Sequence, residues 1–139
     1  MQKECNIDTQ QLTQIIIDAI IEKKARAISV LNLEDALTYG ERFIICSGHS
    51  SRQVRAIAQH VSQVLKKDHD LLPLGVEGRG LDKWVLVDFG SVILHVFTSE
   101  SRGYYSLESL WVDAPKVPLS NFGVTDPDAL ASPETEMFV

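Results

Sequence analysis

The stretch that decides the fold runs from residue 84 to residue 97 and reads Trp84-Val-Leu-Val-Asp-Phe-Gly-Ser-Val-Ile-Leu-His-Val-Phe97. Two runs rich in β-branched and aromatic residues flank Gly90-Ser91, which is typical of a β-hairpin with a two-residue type II′ turn led by glycine. Because a turn of fixed length sets the register, the facing residues can be predicted. The pairs are Phe89 with Val92, Val87 with Leu94 and Val85 with Val96 on one face, and Asp88 with Ile93, Leu86 with His95 and Trp84 with Phe97 on the other.

The two faces of this hairpin differ in polarity. The first face is wholly apolar, so we expect it to belong to the core. The second face is mostly apolar but also carries the carboxylate of Asp88 and the imidazole of His95. The pattern leaves two alternatives open. Helices of the chain cover this face, and Asp88 and His95 hydrogen-bond each other or the backbone; or a partner covers it, with Trp84 as an interface anchor.

Helical and strand patterns surround the hairpin. Asp8 with Gln11, and Ser50 with Gln53, predict capping boxes at the starts of two helices. The predicted elements are a helix after Asp8, strands at residues 27–33 and 42–47, a helix after Ser50, a short edge strand at 72–76, and a last helix from Ser99 or Glu100 that carries Trp111. This order predicts a single α/β domain with a mixed β-sheet flanked by helices.

The last 27 residues differ from the rest of the chain. Residues 113–139 contain four prolines, show no sustained periodicity, and carry five acids and one base, a net charge of −4 within a total of −6. We therefore expect residues 1–112 to form the domain and residues 113–139 to be an acidic tail that is extended or disordered.

Composition excludes several classes of function. The hydrophobic content of 45% and charged content of 23% are typical of a soluble globular protein. The apolar runs are too short to span a bilayer, and the first residues lack the order of a signal peptide, so a cytoplasmic location is expected. Cys5 and Cys46 form no disulfide framework, and no metal or cofactor site is indicated. The absence of a basic stripe argues against direct binding to nucleic acid.

Four blocks, in this order and spacing, resemble the Iojap-like or ribosomal silencing factor family, and the resemblance covers about residues 7–111. The blocks are Phe43-Ile-Ile-Cys-Ser-Gly-His-Ser-Ser-Arg52 with Val54; Pro73-Leu-Gly-Val-Glu-Gly78; Trp84-Val-Leu-Val-Asp-Phe-Gly90 leading to His95-Val96; and Glu100-Ser-Arg102 followed by Tyr104-Tyr105, Leu107-Glu108 and Leu110-Trp111. The resemblance implies a sheet with a nucleotidyltransferase-like outline and no catalytic site.

The resemblance also implies a function. Such a protein binds the large ribosomal subunit through large-subunit ribosomal protein fourteen, blocks subunit association and represses translation under nutrient limitation, without catalysing a reaction. The positions expected to carry the contact are Trp84, Leu86, Asp88, His95, Glu100, Arg102 and Tyr105. An aromatic anchor ringed by acidic groups suits a basic ribosomal protein.

Three positions depart from what is common in the family. Ala27 stands where an acid often precedes the first strand, His49 where a small hydroxyl residue is common, and Ser91 where an aspartate is common after the turn glycine. The loss of an acid at the turn is expected to weaken contact with a basic partner.

Two other functions have some support in the sequence. A nucleotide-binding, nucleotidyltransferase-like protein is suggested by Gly48-His49-Ser50-Ser51 ahead of a helix. However, no predicted strand carries the Asp-x-Asp pair that two-metal nucleotidyl transfer needs, and Asp88 is alone on its strand. A homodimeric scaffold is the other alternative, in which the apolar face around Trp84 is buried between two copies of the chain.

Overall fold

The computed structural model describes residues 7–34 and 41–132. Cys5, residues 35–40 between the first two predicted strands, and the last seven residues of the predicted tail lie outside the described residues. The elements in chain order are α1 (Thr9–Glu22), β1 (Arg26–Asn32), β2 (Arg42–Gly48), α2 (Ser51–His69), β3 (Gly75–Glu77), β4 (Trp84–Asp88), β5 (Val92–Thr98), α3 (Ser99–Tyr105), α4 (Leu107–Leu110), a 3-10 helix (Leu119–Phe122) and α5 (Pro127–Leu130).

The five strands form one sheet in the order β1-β2-β5-β4-β3. β2 and β5 run parallel, and every other neighbouring pair is antiparallel. The parallel pair is joined by a crossover that includes α2, as parallel neighbours require. This arrangement confirms the predicted mixed sheet flanked by helices.

The predicted register of the hairpin is confirmed at every pair within the strands. Trp84 faces Phe97, Leu86 faces His95 and Asp88 faces Ile93, and the intervening pairs follow in step. At the turn, Gly90 has φ +90° and its N–H donates to Asp88 Oδ1 at 2.8 Å. The carboxylate on the second face therefore holds the turn that fixes the register.

The first face of the sheet forms the larger core together with α1 and α2. The apolar rows of β2, β4 and β5 pack against buried side chains that include Ile16, Ile57 and Val61. The capping box of α1 forms as predicted between Asp8 and Gln11. The one predicted for α2 forms only in part.

The start of α2 is tied to the end of α1 by the side chain of Gln53. Its N–H donates to Ser50 Oγ, as expected for a capping box. Its side-chain oxygen, however, accepts from the N–H of His49, and its amide group donates to the carbonyls of Lys23 and Lys24. The side-chain oxygen thus bonds one residue before the cap instead of Ser50 N–H, while the side-chain nitrogen makes tertiary contacts to the end of α1.

The predicted last helix is divided in two. Ser106 takes a left-handed conformation with φ +47°, so α3 ends at Tyr105 and α4 begins at Leu107. The break turns Leu107 into an apolar cluster and brings Glu108 to Arg102. In one continuous helix, residues six positions apart would not face each other, so this ion pair requires the break.

The segment after Asp113 packs on the domain in its described part, whereas the sequence predicts an extended or disordered chain. Its backbone pairs along the outer edge of β1, where Asn32 N–H donates to the carbonyl of Pro115 and Val117 N–H donates to that of Val30. Phe122, Val124 and Ala129 are buried in the same core as α1. Scattered apolar residues thus complete the core and cover a strand edge without any periodic pattern. A domain boundary at residue 112 stays a prediction.

Gly78 meets the backbone of β4 so closely that a side chain there is excluded. A Cβ at this position, where φ is +91°, would overlap the carbonyl oxygen of Trp84. Gly80 has a similar φ of +110° but open space around it.

We expect Gly80→Ala to destabilise the fold by about 1 kcal/mol from backbone strain. Gly78→Ala should cost roughly 1–3 kcal/mol more than Gly80→Ala, because its Cβ would also overlap the backbone of β4. Urea unfolding of both variants checks this; equal losses would contradict the close approach.

Candidate functional site

The second face of the sheet is covered over one part and half-open over the other. Leu107, Trp111 and Ala114 pack on the residues of β1, β2 and β5, and Trp111 meets the ring of Phe43 edge-on at 5.8 Å between centroids. Along β4, the side chains of Trp84, Leu86 and Asp88 remain half-buried, and Tyr105 beside them is 50% exposed. These four residues are called the β4 patch below. The first alternative, cover by the chain's own helices, holds over β1, β2 and β5. The second, cover by a partner, stays open along β4.

Trp84 is the centre of the β4 patch. Its ring stacks on Phe97 at 4.9 Å between centroids and lies 5.0 Å from the ring of Tyr105. Its indole N–H donates a hydrogen bond of 3.1 Å to His95 Nδ1. The indole is therefore held on three sides, and the rest of its surface is left partly accessible.

His95 lies beneath this patch. The side chain is only 3% exposed and lies 4.6 Å from the ring of Phe43. Burial lowers the pKa of His95 to about 4, so the imidazole is neutral near pH 7. Of the bonds that the sequence left open for these two residues, the one between His95 and Asp88 does not form. His95 accepts from Trp84, and Asp88 accepts from the backbone N–H of Gly90.

Arg102 lies inside the protein and connects α3 with β1 and β2. The guanidinium is 4% exposed; it donates to Glu108, to the carbonyl of Ala27 and to Ser47 Oγ. Burial alone would raise the pKa of Glu108, but the hydrogen bond and charge of Arg102 outweigh it and hold that pKa below its usual value. The structure thus assigns Arg102 a role in fixing α3 and α4, and its contact with a partner stays a prediction.

Glu100 projects elsewhere, into a cavity of about 730 Å³ near the carboxyl ends of β2 and β5. Other residues that line this cavity are Arg26, His49, Ser50 and Lys83. Glu100 is therefore the member of the predicted set that lies at a separate site. The Gly48 turn, on which the nucleotide-binding alternative rests, leads into the same cavity.

The structure brings together Trp84, Leu86, His95 and Tyr105 from the predicted set, with Asp88 further along β4. Sequence reasoning missed the covering role of Leu107 and the pairing of Glu108 with Arg102. The sequence gives no signal for these two contacts, because they form only where Ser106, in its left-handed conformation, interrupts the helix.

The three atypical positions have different surroundings. Ala27 is buried with φ +48°, in a bulge of β1 that aims its carbonyl at Arg102. His49 is exposed at the rim of the cavity. Ser91 is half-buried at the hairpin turn, where its carbonyl accepts from the N–H groups of Glu41 and Arg42.

The described part of the chain holds neither a candidate metal site nor a candidate membrane span. Within residues 7–34 and 41–132, no three His, Cys, Asp or Glu side chains are grouped so that they could hold a metal ion. Over the same residues, no helix has both the length and the apolar character that crossing a bilayer demands.

Fold and site together define a small α/β protein with a half-open aromatic patch on one face of its sheet. The chain matches the family described as "Ribosomal silencing factor during starvation" over residues 6–137. It therefore belongs to this family of regulatory, ribosome-associated factors that silence translation.

Individual relatives agree with this assignment. A ribosomal silencing factor of Halalkalibacterium halodurans is 38% identical over 113 residues, which cover 81% of this chain and 96% of that protein. The one from Bacillus subtilis is 36% identical and covers 85% of this chain and 98% of its own length. A crystal structure of a protein from Bacillus halodurans superposes with a TM-score of 0.71 at 37% identity, over 80% of this chain and all of that one.

Acid should destabilise the fold through His95. As the pH falls from 6.5 to about 4, His95 takes up a proton in the unfolded chain but stays neutral in the folded protein. The free energy of unfolding therefore decreases across this window, and above pH 6.5 the contribution of His95 is fully present. The loss expected from this one group is about 3 kcal/mol. Urea unfolding at several pH values measures it, and His95→Phe should lack this component. Equal acid losses in both proteins would contradict the assignment.

Arg102→Met should destabilise the protein by about 3 kcal/mol, because it leaves the carboxylate of Glu108 half-buried without its partner. For a chain of this size the melting temperature should fall by roughly 6–12 °C. The exposed Arg52 supplies the matched control, and Arg52→Met should change stability by less than about 0.5 kcal/mol. Thermal unfolding of both variants is the measurement; similar midpoints would show that the buried ion pair is dispensable.

Proposed function

We propose that this chain represses translation by placing its β4 patch on large-subunit ribosomal protein fourteen, which blocks association of the ribosomal subunits when nutrients are scarce. The single observation that carries the proposal is the half-open cluster of Trp84, Leu86 and Tyr105 on a sheet face that is covered over β1, β2 and β5. The protein acts in the cytoplasm, where assembled ribosomes translate.

Family membership supports the ribosome as the target. The relatives from bacteria carry the name ribosomal silencing factor. A mouse relative named "Mitochondrial assembly of ribosomal large subunit protein 1" is 31% identical over 99 residues, which cover 70% of this chain and 43% of that protein. That name refers to the large subunit, which is the subunit proposed here.

The chemistry of the β4 patch suits a protein partner. Tryptophan and tyrosine are the side chains that most often anchor interfaces, since they bury much area at small cost in conformational entropy. Asp88 adds a carboxylate to the patch, and the chain carries a net charge of −6. An acidic protein with an aromatic anchor is complementary to a basic ribosomal protein, and the charge would also speed association.

Two competing functions use different features. A homodimer would bury the same β4 patch between two copies, and would then be in competition with the ribosome. A nucleotide-binding function would use the cavity beside Gly48 and leave the patch free. The mass of the free protein in solution tests the first, and titration with ATP tests the second.

Trp84→Ala should lower the affinity for large subunits by about thirtyfold or more, as expected for the anchor of an interface. The matched control is Leu130→Ala, because Leu130 is 49% exposed on α5, which packs with the core of the opposite face. Purified proteins are sedimented through sucrose with isolated large subunits, with small subunits for comparison, and thermal unfolding establishes that each variant is folded.

Loss of co-sedimentation in Trp84→Ala but not in Leu130→Ala supports both the function and the site. If the wild-type protein stays in the supernatant at micromolar concentration, the proposed function is wrong. If Trp84→Ala melts early and loses cooperativity, Trp84 belongs to the core and the β4 patch is not the docking site. Binding to isolated ribosomal protein fourteen then decides whether that protein is the partner on the subunit.

A further inference from the structure

We infer that His95 is a positioning residue, whose Nδ1 holds the indole of Trp84 in the orientation that a protein partner meets on the β4 patch. The inference rests on the proposed function, because it concerns the same docking site. It changes the role of His95 from a contact residue to one that acts through Trp84. Being only 3% exposed, the imidazole offers almost no surface to a partner.

The hydrogen bond fixes the tautomer of the imidazole. An indole N–H can only donate, so Nδ1 must be unprotonated to accept the bond from Trp84 at 3.1 Å. In a neutral imidazole the proton then lies on Nε2. The pKa of about 4 keeps the ring in this neutral form at cellular pH. The acceptor is therefore always available to Trp84.

The same tautomer leaves a buried donor unsatisfied. Nε2 of His95 is buried, and it has no hydrogen-bond partner among the described residues. A buried N–H without an acceptor is destabilising, so packing alone would favour an apolar ring at this position. The surrounding rings of Phe43 and Phe97 would accommodate one. Packing does not explain an imidazole here, whereas the acceptor on Nδ1 does.

The effect on Trp84 follows from its surroundings. Phe97 supports one face of the indole and Tyr105 lies against it, but apolar ring contacts are not directional in the way that a hydrogen bond is. The bond to His95 is directional and selects one orientation. An anchor that is already ordered loses less conformational entropy on binding, which raises affinity without any new contact.

Three variants separate positioning from packing. His95→Phe keeps a ring of similar size but removes the acceptor. His95→Asn places an acceptor near the position of Nδ1, at the expense of a cavity. His69→Phe, at the exposed end of α2, is the matched control. Each is compared with wild type for affinity to large subunits and for thermal stability at pH 7.

His95→Phe should bind about three- to tenfold more weakly than wild type, the range expected for one hydrogen bond, with an unchanged or higher melting temperature. His95→Asn should melt earlier than His95→Phe and yet bind more tightly. Between these two variants, the order of affinities is then the reverse of the order of stabilities. If His95 is merely structural, affinity follows stability and Asn gives no rescue, which overturns the inference.

An NMR measurement tests the positioning without any ribosome. The chain has two tryptophans, so two indole N–H signals are expected, and Trp111→Phe assigns them. In wild type the indole proton of Trp84 should exchange slowly with solvent. His95→Phe should accelerate this exchange while leaving the Trp111 signal unchanged. Equal exchange in both proteins would overturn the inference.

The outcomes also distinguish this inference from the proposed function. If wild type and His95→Phe bind large subunits equally while Trp84→Ala does not bind, the docking site stands and the role of His95 is wrong. If wild type does not bind large subunits at all, the proposed function fails, and a role of His95 in docking fails with it. The exchange measurement then decides only whether His95 orders the indole.

Discussion

The register between β4 and β5 is the constraint on which the rest of this structure depends. A turn of two residues, closed by a hydrogen bond from Gly90 N–H to the carboxylate of Asp88, allows one pairing of the strands. A shift by a single residue would exchange the two faces of β4. The wholly apolar row would then leave α1 and α2, and the row that contains Trp84 would enter the main core. Both the core and the candidate docking site depend on this one alignment.

The second face shows how a sheet surface is divided between core and interface. The ion pair of Arg102 with Glu108 holds α4 over β1 and β2, where Leu107 and Trp111 exclude water from the sheet. The cover ends before β4, and Trp84 remains half-exposed. A buried charge pair contributes little net stability in general, because desolvation offsets the attraction. Its effect here is geometric, since it decides which part of the face stays open.

This division gives a physical account of the proposed function. A surface that binds a partner must be apolar enough to release water on contact, yet supported so that it does not collapse when free. In the β4 patch the support comes from the hydrogen-bonded and stacked rings beneath Trp84. The family assignment makes this chain a ribosome-associated factor, and the proposed contact with the ribosome lies on this patch. The cavity near Glu100 is separate from it.

The sequence alone determined the elements whose signals are local. The hairpin register follows from Gly90-Ser91 and the alternation around it, the first helix from its capping box, and the family from four blocks in fixed order. Tertiary structure decided what depends on residues far apart in sequence. The capping box of α2 gave way to contacts between Gln53 and the end of α1, and the last helix broke at Ser106. Residues 114–132, the described part of the predicted tail, pack on β1 and on the core that contains α1 without any periodicity. No local pattern reports such contacts, because their energy comes from burial and pairing with partners that only folding brings near. For the same reason, the sequence could name Trp84 and His95 as opposite-strand neighbours, but only the folded chain shows one half-open and the other buried beneath it.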